Sequence, residues 1–378
     1  MTIKIPFNKP HLTGKEAHYL YQAVCSGKIS GDGMFTKKCH EFFMDRYGFS
    51  KCLLTTSCTD ALEMAALLLN IQPGDEVILP SYTFVSTANA FALRGATLVF
   101  ADSKESSPNM DEAGVESLVN SRTRVIVPVH YGGVACDMDI IMDIAEKYGV
   151  FVVEDAAQAV DSFYKGRPLG SIGHLGTFSF HETKNIISGE GGMLTVNDDR
   201  FAARADILWE KGTNRVAFFK GEVDKYGWVD IGSSFLPSEI IAAFLYAQLE
   251  NLDDIQWKRK KIWQQYADEL AVLQERGLAR LPFVDPFAHN NAHVFYIVCS
   301  SDEDWDGLLS FLKERGVWAV FHYLSLHKSP FFNGKHDGRE LPWSDFYSRR
   351  LIRLPLYYQM GPEEVSYVCA KVKEYFGV

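Results

Sequence analysis

The chain is predicted to be an α/β protein, with a large domain built on a mainly parallel sheet and a smaller α+β domain at the C-terminus. Three observations predict this. Strand-like apolar runs alternate with helix-like segments from residue 50 to about 200, the pattern of a sheet covered on both faces. That rhythm breaks after Pro237, where helical segments take over. The length of 378 residues, at about 150 residues per domain, suggests two domains. The division is set at 1–250, a large domain with an N-terminal arm, and 251–378, a small domain.

In the first part, Cys52-Leu53-Leu54 reads as a strand leading to a helix over Thr59 to Leu69, whose apolar residues fall at helical spacing. Pro73-Gly74-Asp75 turns into a strand over Glu76 to Leu79. A helix over Ser86 to Arg94 stops at Gly95. Strands follow at Thr97 to Ala101 and Arg124 to Val129, then a helix at Met138 to Tyr148 and a buried strand at Val150 to Val153. In the second part, Ser238 to Leu249 is an apolar helix, and Leu252 to Glu275 is a long charged helix suited to joining two domains. Beyond it, His293 to Cys299 and Val317 to Phe321 read as strands, and Glu303 to Arg315 and Glu363 to Phe376 as helices.

Composition excludes several classes. Hydrophobic residues make up 47% of the chain, enough for a large core. A net charge of −10 argues against a nucleic-acid surface, so an anionic substrate must meet local cations. The start, Met1-Thr2-Ile3-Lys4-Ile5-Pro6, carries no apolar signal core. Apolar runs fall short of the ~20 residues that span a bilayer. Seven cysteines without a C-x-x-C pair read as reduced thiols, so a cytoplasmic location is expected.

The chemistry gathers at predicted strand ends, where open α/β sheets bind ligands. Lys184 follows the strand Thr177 to Phe180 and precedes Gly189-Glu190-Gly191-Gly192. A lysine buried there can lose its charge and form a Schiff base. The strand at Val150 delivers Glu154 and Asp155. Pyridoxal phosphate (PLP) needs this pair, a lysine for its aldehyde and an acid for its pyridinium nitrogen. Thr56-Ser57-Cys58-Thr59 opens a helix and suits a phosphate, although Ser57 or Thr59 also suits an ordinary N-cap. Phe84 can lie flat on a pyridine ring or belong to the core. Gln158 can reach the ring's phenolic oxygen, and Ser179 can add a phosphate contact. Lys184 alone would read as a solvated loop residue, and Asp155 alone as a helix cap.

These stretches resemble the DegT-type sugar aminotransferases, PLP enzymes of the aspartate-aminotransferase fold. The likeness lies in Ser57 to Leu62, Gly74 to Phe84, Pro128 to Gly133, Val153 to Gln158, Phe178 to His181 with Lys184-Asn185, and Gly189 to Gly192. It implies transfer of an amino group from L-glutamate to a nucleotide-linked keto sugar. It implies Lys184 as the Schiff-base lysine, Asp155 on the pyridinium, Phe84 on the ring and Gln158 near its oxygen. Cys58, Thr59 and Ser179 would surround the phosphate. It also implies a homodimer with shared active sites. Many family members place a partner-subunit asparagine on the phosphate. Here Leu236 takes that position in Gly232-Ser233-Ser234-Phe235-Leu236-Pro237, leaving Ser233 or Ser234 as replacement.

Lys211 and Arg215, in Glu210-Lys211-Gly212-Thr213-Asn214-Arg215, offer cations around a glycine after a helix, and with His322 are expected to hold the sugar-nucleotide diphosphate. Two motifs are set aside. Gly31-Asp32-Gly33-Met34-Phe35-Thr36 lacks the last glycine of a dinucleotide fingerprint. His289 and His293 stand four apart without a following glutamate, so no metal site is assigned.

Overall fold

A computed structural model describes residues 4–378. Its centre is a seven-stranded sheet. In chain order the strands are β1 (Cys52–Thr55), β2 (Glu76–Pro80), β3 (Thr97–Ala101), β4 (Thr123–Ile126), β5 (Phe151–Asp155), β6 (Leu175–Ser179) and β7 (Gly192–Val196). Their spatial order is β1-β7-β6-β5-β4-β2-β3. Every pair from β6 to β3 is parallel, and β7 alone runs against its neighbours β1 and β6. The carboxyl ends of six strands and the amino end of β7 therefore share one edge. Strands β1, β2, β6 and β7 are buried along their whole length, as the continuous apolar runs required.

Helices cover both faces. Helix Cys58–Leu68 opens behind an N-cap at Ser57, whose side chain accepts from Asp60 N at 3.0 Å. Helix Met138–Tyr148 closes on Gly149 in the left-handed region, where glycine carries no Cβ penalty. Among the helices that escaped the sequence reading, Glu16–Cys25 and Met34–Tyr47 both pack on helix Glu239–Leu249. The carboxylate of buried Glu239 accepts from Gly33 N (3.0 Å), Phe35 N (2.7 Å), Thr36 N (3.1 Å) and the Thr36 hydroxyl. Gly31-Asp32-Gly33 is thus the entry to a helix capped by a distant carboxylate.

The C-terminal region holds a three-stranded antiparallel sheet of β8 (Ala279–Arg280), β9 (Phe295–Cys299) and β10 (Leu351–Leu354). Here the sequence reading needs correction. Val317 to Phe321 is not a strand; it makes single bridges from Val317 to Ile5 and from Val320 to Arg353. β10 takes the place beside β9. It follows Arg349-Arg350 and carries Arg353 at its centre, so its alternation was hidden among charges.

Core packing crosses the expected division at 250/251. Leu252 and Ile255 of helix Leu252–Glu275 pack with the large sheet, whereas Ile262, Tyr266, Leu270 and Leu273 pack with the small one. Ile5 of the N-terminal arm lies in the small core, not the large one. Leu326, Phe332 and Leu341 cross back into the large core, where the Phe332 and Phe100 rings meet edge-on at 4.9 Å. No helix among the described residues is long and apolar enough to cross a membrane.

Replacing Glu239 by Gln tests the long-range cap. One amide hydrogen must then face a backbone N–H, so a loss of about 1–3 kcal/mol is expected. It should appear as a lowered melting temperature in calorimetry, with secondary structure intact at room temperature.

Candidate active site

The shared strand edge opens into a cavity of about 560 Å³, a usual size for a small-molecule site. Ser57, Cys58, Thr59, Phe84, Asp155, Gln158, Ser179 and Lys184 all line it. The topology brings them together because each lies at or just after the carboxyl end of a strand.

Asp155 ends β5 with 5% of its surface exposed. Oδ2 accepts from the Thr87 hydroxyl at 2.7 Å, and Oδ1 from Ala157 N at 3.1 Å. No helix follows it, so it is not a helix cap. Burial pushes its carboxyl above the ordinary carboxylate range, opposed by those two hydrogen bonds and by Lys184. Among the described residues it has no ion-pair partner. A cationic ring nitrogen set against it would supply the missing charge and hold it ionised.

Behind it, the Glu154 carboxylate points to the other face. It accepts from the N–H groups of Gly170, Ile172 and Gly173 and from His130 Nε2 at 3.0 Å. Because His130 Nδ1 accepts from Cys136 N, the ring hydrogen must sit on Nε2. His130 N in turn donates to the Asp155 carbonyl at 3.1 Å, which ties this buried pair to the strand end.

Lys184 keeps part of its surface open to the cavity. Burial pushes its amine below the ordinary lysine value, against the pull of Cys58 and Asp155. More of it is therefore neutral, and nucleophilic, than a surface lysine would be at the same pH.

The candidate phosphate end lies at the start of helix Cys58–Leu68. Ser57 acts as the N-cap, and the Thr59 hydroxyl meets that of Ser86 at 2.7 Å. Ser86 was not foreseen; it sits two residues past Phe84 on the next strand–helix turn. Gly192 lets β7 close on this turn, since a Cβ there would lie 2.4 Å from Cys58 N and 2.3 Å from Ser57 C. Ser179 stands alongside, its hydroxyl 3.4 Å from His181 N. Hydroxyls and a helix N-terminus suit a phosphate dianion, and a buried carboxylate suits a pyridinium. The donor set fits PLP.

Phe84 is 56% exposed and presents its ring to the cavity. Gln158 Oε1 accepts from Gly132 N at 2.6 Å, so its NH2 donates to the Tyr323 hydroxyl at 2.8 Å. Tyr323 keeps its own hydrogen to donate elsewhere.

The expected diphosphate group does not assemble within one chain. Lys211 is exposed and lies 3.5 Å from Glu210, and exposed Arg215 covers the Phe219 ring at 5.1 Å; neither lines the cavity. Ser233 is likewise exposed outside it. His322 does line the cavity, but burial, reinforced by Arg353, pushes its imidazole well below the ordinary histidine value. At neutral pH it offers hydrogen bonding, not charge. The cation in the cavity is Arg353, which sequence reasoning missed. Its Nη2 donates to the Phe321 carbonyl at 3.0 Å, and its Nε has no partner among the described residues. Alternation along β10 sends Ile352 into the core and Arg353 to the cavity.

A lysine with a depressed amine and a buried acid, beside an anion-binding helix end on a parallel sheet, define a PLP-dependent transferase of the α/β class. The comparisons agree. The family model described as the DegT/DnrJ/EryC1/StrS aminotransferase family matches residues 10–373, and the chain belongs to that family. The spore coat polysaccharide biosynthesis protein SpsC of Bacillus subtilis is 34% identical over 383 residues, covering 98% of this chain and 96% of that protein. The aminotransferase TlmJ of Streptoalloteichus hindustanus superposes with a TM-score of 0.90 at 28% identity, over 100% of this chain and 99% of that one. A candidate sugar aminotransferase of Streptococcus pneumoniae, Spr1654 in its PLP form, gives 0.90 at 26% identity and 98% coverage of both. The protein is thus a PLP-dependent sugar aminotransferase.

Asp155→Asn preserves the size of the group and removes its charge. Turnover at saturating PLP is expected to fall about 10²–10³-fold, the usual worth of one preorganised electrostatic contact. Steady-state kcat alongside a cofactor titration measures it; cofactor binding should change far less than kcat.

Proposed function

We propose that the protein transfers the amino group of L-glutamate to C4 of dTDP-4-keto-6-deoxy-D-glucose. The product is dTDP-4-amino-4,6-dideoxy-D-galactose, for cell-surface polysaccharide synthesis. The observation that carries this reading is the convergence of Lys184, Asp155 and Arg353 on one cavity. The choice of sugar rests on further likeness to dTDP-4-amino-4,6-dideoxygalactose transaminases. It lies in Cys25-Ser26-Gly27-Lys28, Gly31-Asp32-Gly33, His181 to Asn185, Glu210 to Arg215 and Asp230 to Ser234. The relationship to a spore coat polysaccharide protein supports the role in polysaccharide synthesis.

PLP, when bound, supplies the carbon that carries the amino group and a ring that takes up the electrons of a breaking C–H bond. Lys184 anchors it. Once released, the Lys184 amine takes the proton from the α-carbon of glutamate, and in the second half returns a proton to C4 of the sugar. Asp155 would hold the ring nitrogen and stay ionised against it. Cys58, Thr59 and Ser179, joined by Ser86, would hold the phosphate. Gln158 would donate its remaining hydrogen to the cofactor's oxygen, and Phe84 would pack on the ring. Arg353 takes a substrate carboxylate with its free donors.

The working unit in this reading is a homodimer. Trp228 is 85% and Phe219 68% exposed, in a segment that also carries Tyr226, Val229 and Ile231. Such a patch suits a subunit interface. Lys211, Arg215 and Ser233 lie on or beside it, and in this reading they serve the partner's cavity in place of their own.

Incubation with glutamate and a panel of dTDP-keto sugars, with NMR of the product, tests the assignment. A C4 amine in the galacto configuration is expected; turnover confined to a 3-keto sugar, or a gluco product, would replace it. Arg353→Gln should raise the KM for glutamate about 10–100-fold, matching one charged hydrogen bond of ~1.5–3 kcal/mol, with a smaller change in kcat.

A further inference from the structure

A buried polar network lies directly beneath the reactive lysine. Asn185, the residue after Lys184, donates through Nδ2 to the Asn291 carbonyl and to Gln256 Oε1, both at 2.8 Å. A peptide carbonyl only accepts, so this end of the amide must be the nitrogen. Its other end, Oδ1, is then an acceptor, and it lies 2.9 Å from His293 Nδ1. His293 must carry its hydrogen on Nδ1 and a lone pair on Nε2. Nothing else in the network permits the reverse. Asn291 Nδ2 donates to the carbonyls of Gln158 and Val160, and its Oδ1 accepts from His293 N. Buried Arg259 fixes the same turn by donating to the carbonyls of Ala292 and His293.

His293 lines the cavity with 6% of its surface exposed, and Nε2 has no partner among the described residues. Burial, with Lys184 next, pushes its imidazole well below the ordinary histidine value. A hydrogen-bond acceptor of fixed tautomer therefore opens into the cavity that Lys184 also lines, where an amine must be held, moved and reused.

We propose that His293 is a positioning residue for Lys184, its Nε2 accepting a hydrogen bond from the Lys184 amine once substrate has released that amine from the cofactor. The proton itself moves between the Lys184 nitrogen and the reacting carbons; His293 takes none and ends as it began. The contact limits where the four-carbon lysine stem can swing and turns its lone pair toward the carbon. Because Lys184 moves the proton in both half-reactions, His293 acts on both equally. A histidine reading a sugar hydroxyl would act on one.

This rests on the role given to Lys184 above, and the test keeps the two apart. His293→Asn retains a donor near Nδ1 for Asn185 and deletes the acceptor in the cavity. In the holoenzyme, each half-reaction followed by stopped-flow absorbance should slow by about tenfold, the worth of one net hydrogen bond. KM for each substrate should stay within about twofold, and the isotope effect with α-deuterated glutamate should rise. His293→Gln, which extends an amide oxygen toward the Nε2 position, should recover part of the rate. Unchanged rates, or a loss confined to the sugar half, would overturn the proposal and leave the assignment of Lys184 standing. Should the variants fail to fold, ¹⁵N NMR of the wild-type histidines decides. An unprotonated Nε2 on His293 at neutral pH is expected, and a protonated one would overturn the proposal.

Discussion

A carboxylate buried without an ion-pair partner among the described residues is the constraint around which this structure is arranged. Asp155 is held at the end of a central strand by one hydroxyl and one backbone N–H. Desolvation of a lone carboxylate is expensive, and two neutral hydrogen bonds offset part of it. The protein keeps the group in place by making the strand beneath it rigid. The Glu154–His130 pair and its three backbone N–H donors fix the turn before β6 and the loop after β4 against β5. A cationic cofactor ring would relieve the remaining imbalance, so that binding of the cofactor and ionisation of Asp155 would favour each other.

The second constraint is spatial. Lysine, acid and anion-binding turn must meet, though they lie far apart in sequence. A parallel sheet does this by placing successive carboxyl ends on one edge. β7 is the exception that completes it. Running antiparallel between β1 and β6, it brings Gly192 to that edge and lets the turn at Ser57-Cys58 approach its backbone. The lysine loop is the connection between β6 and β7, which gives Lys184 a short, tethered reach. Its neighbour Asn185 ties that loop to the small-domain residues His293 and Asn291.

Much of this was legible in the sequence, for identifiable reasons. Strands buried on both faces read as continuous apolar runs, so the sheet and its loops could be placed, and with them Lys184, Asp155, Gln158, Phe84 and Ser179. Direction was not legible: nothing in Gly192 to Val196 marks β7 as antiparallel. The cation of the cavity was missed because Arg353 follows two other arginines on a short strand. His322 suggested a cation by type, but its charge depends on burial, which spacing does not report. Lys211 and Arg215 read as a phosphate loop by local pattern, while the tertiary structure turns them away from their own cavity. Packing across the expected domain boundary was not legible either: Ile5 and the segment containing Leu326 each pack in the core on the other side of it.

The most direct test of the central claim is chemical trapping of the cofactor. Holoenzyme reduced with borohydride and digested should carry a pyridoxyl group on the peptide containing Lys184, and Asp155→Asn should still be labelled there. Label on any other lysine, or none on Lys184 in an active preparation, would contradict the account.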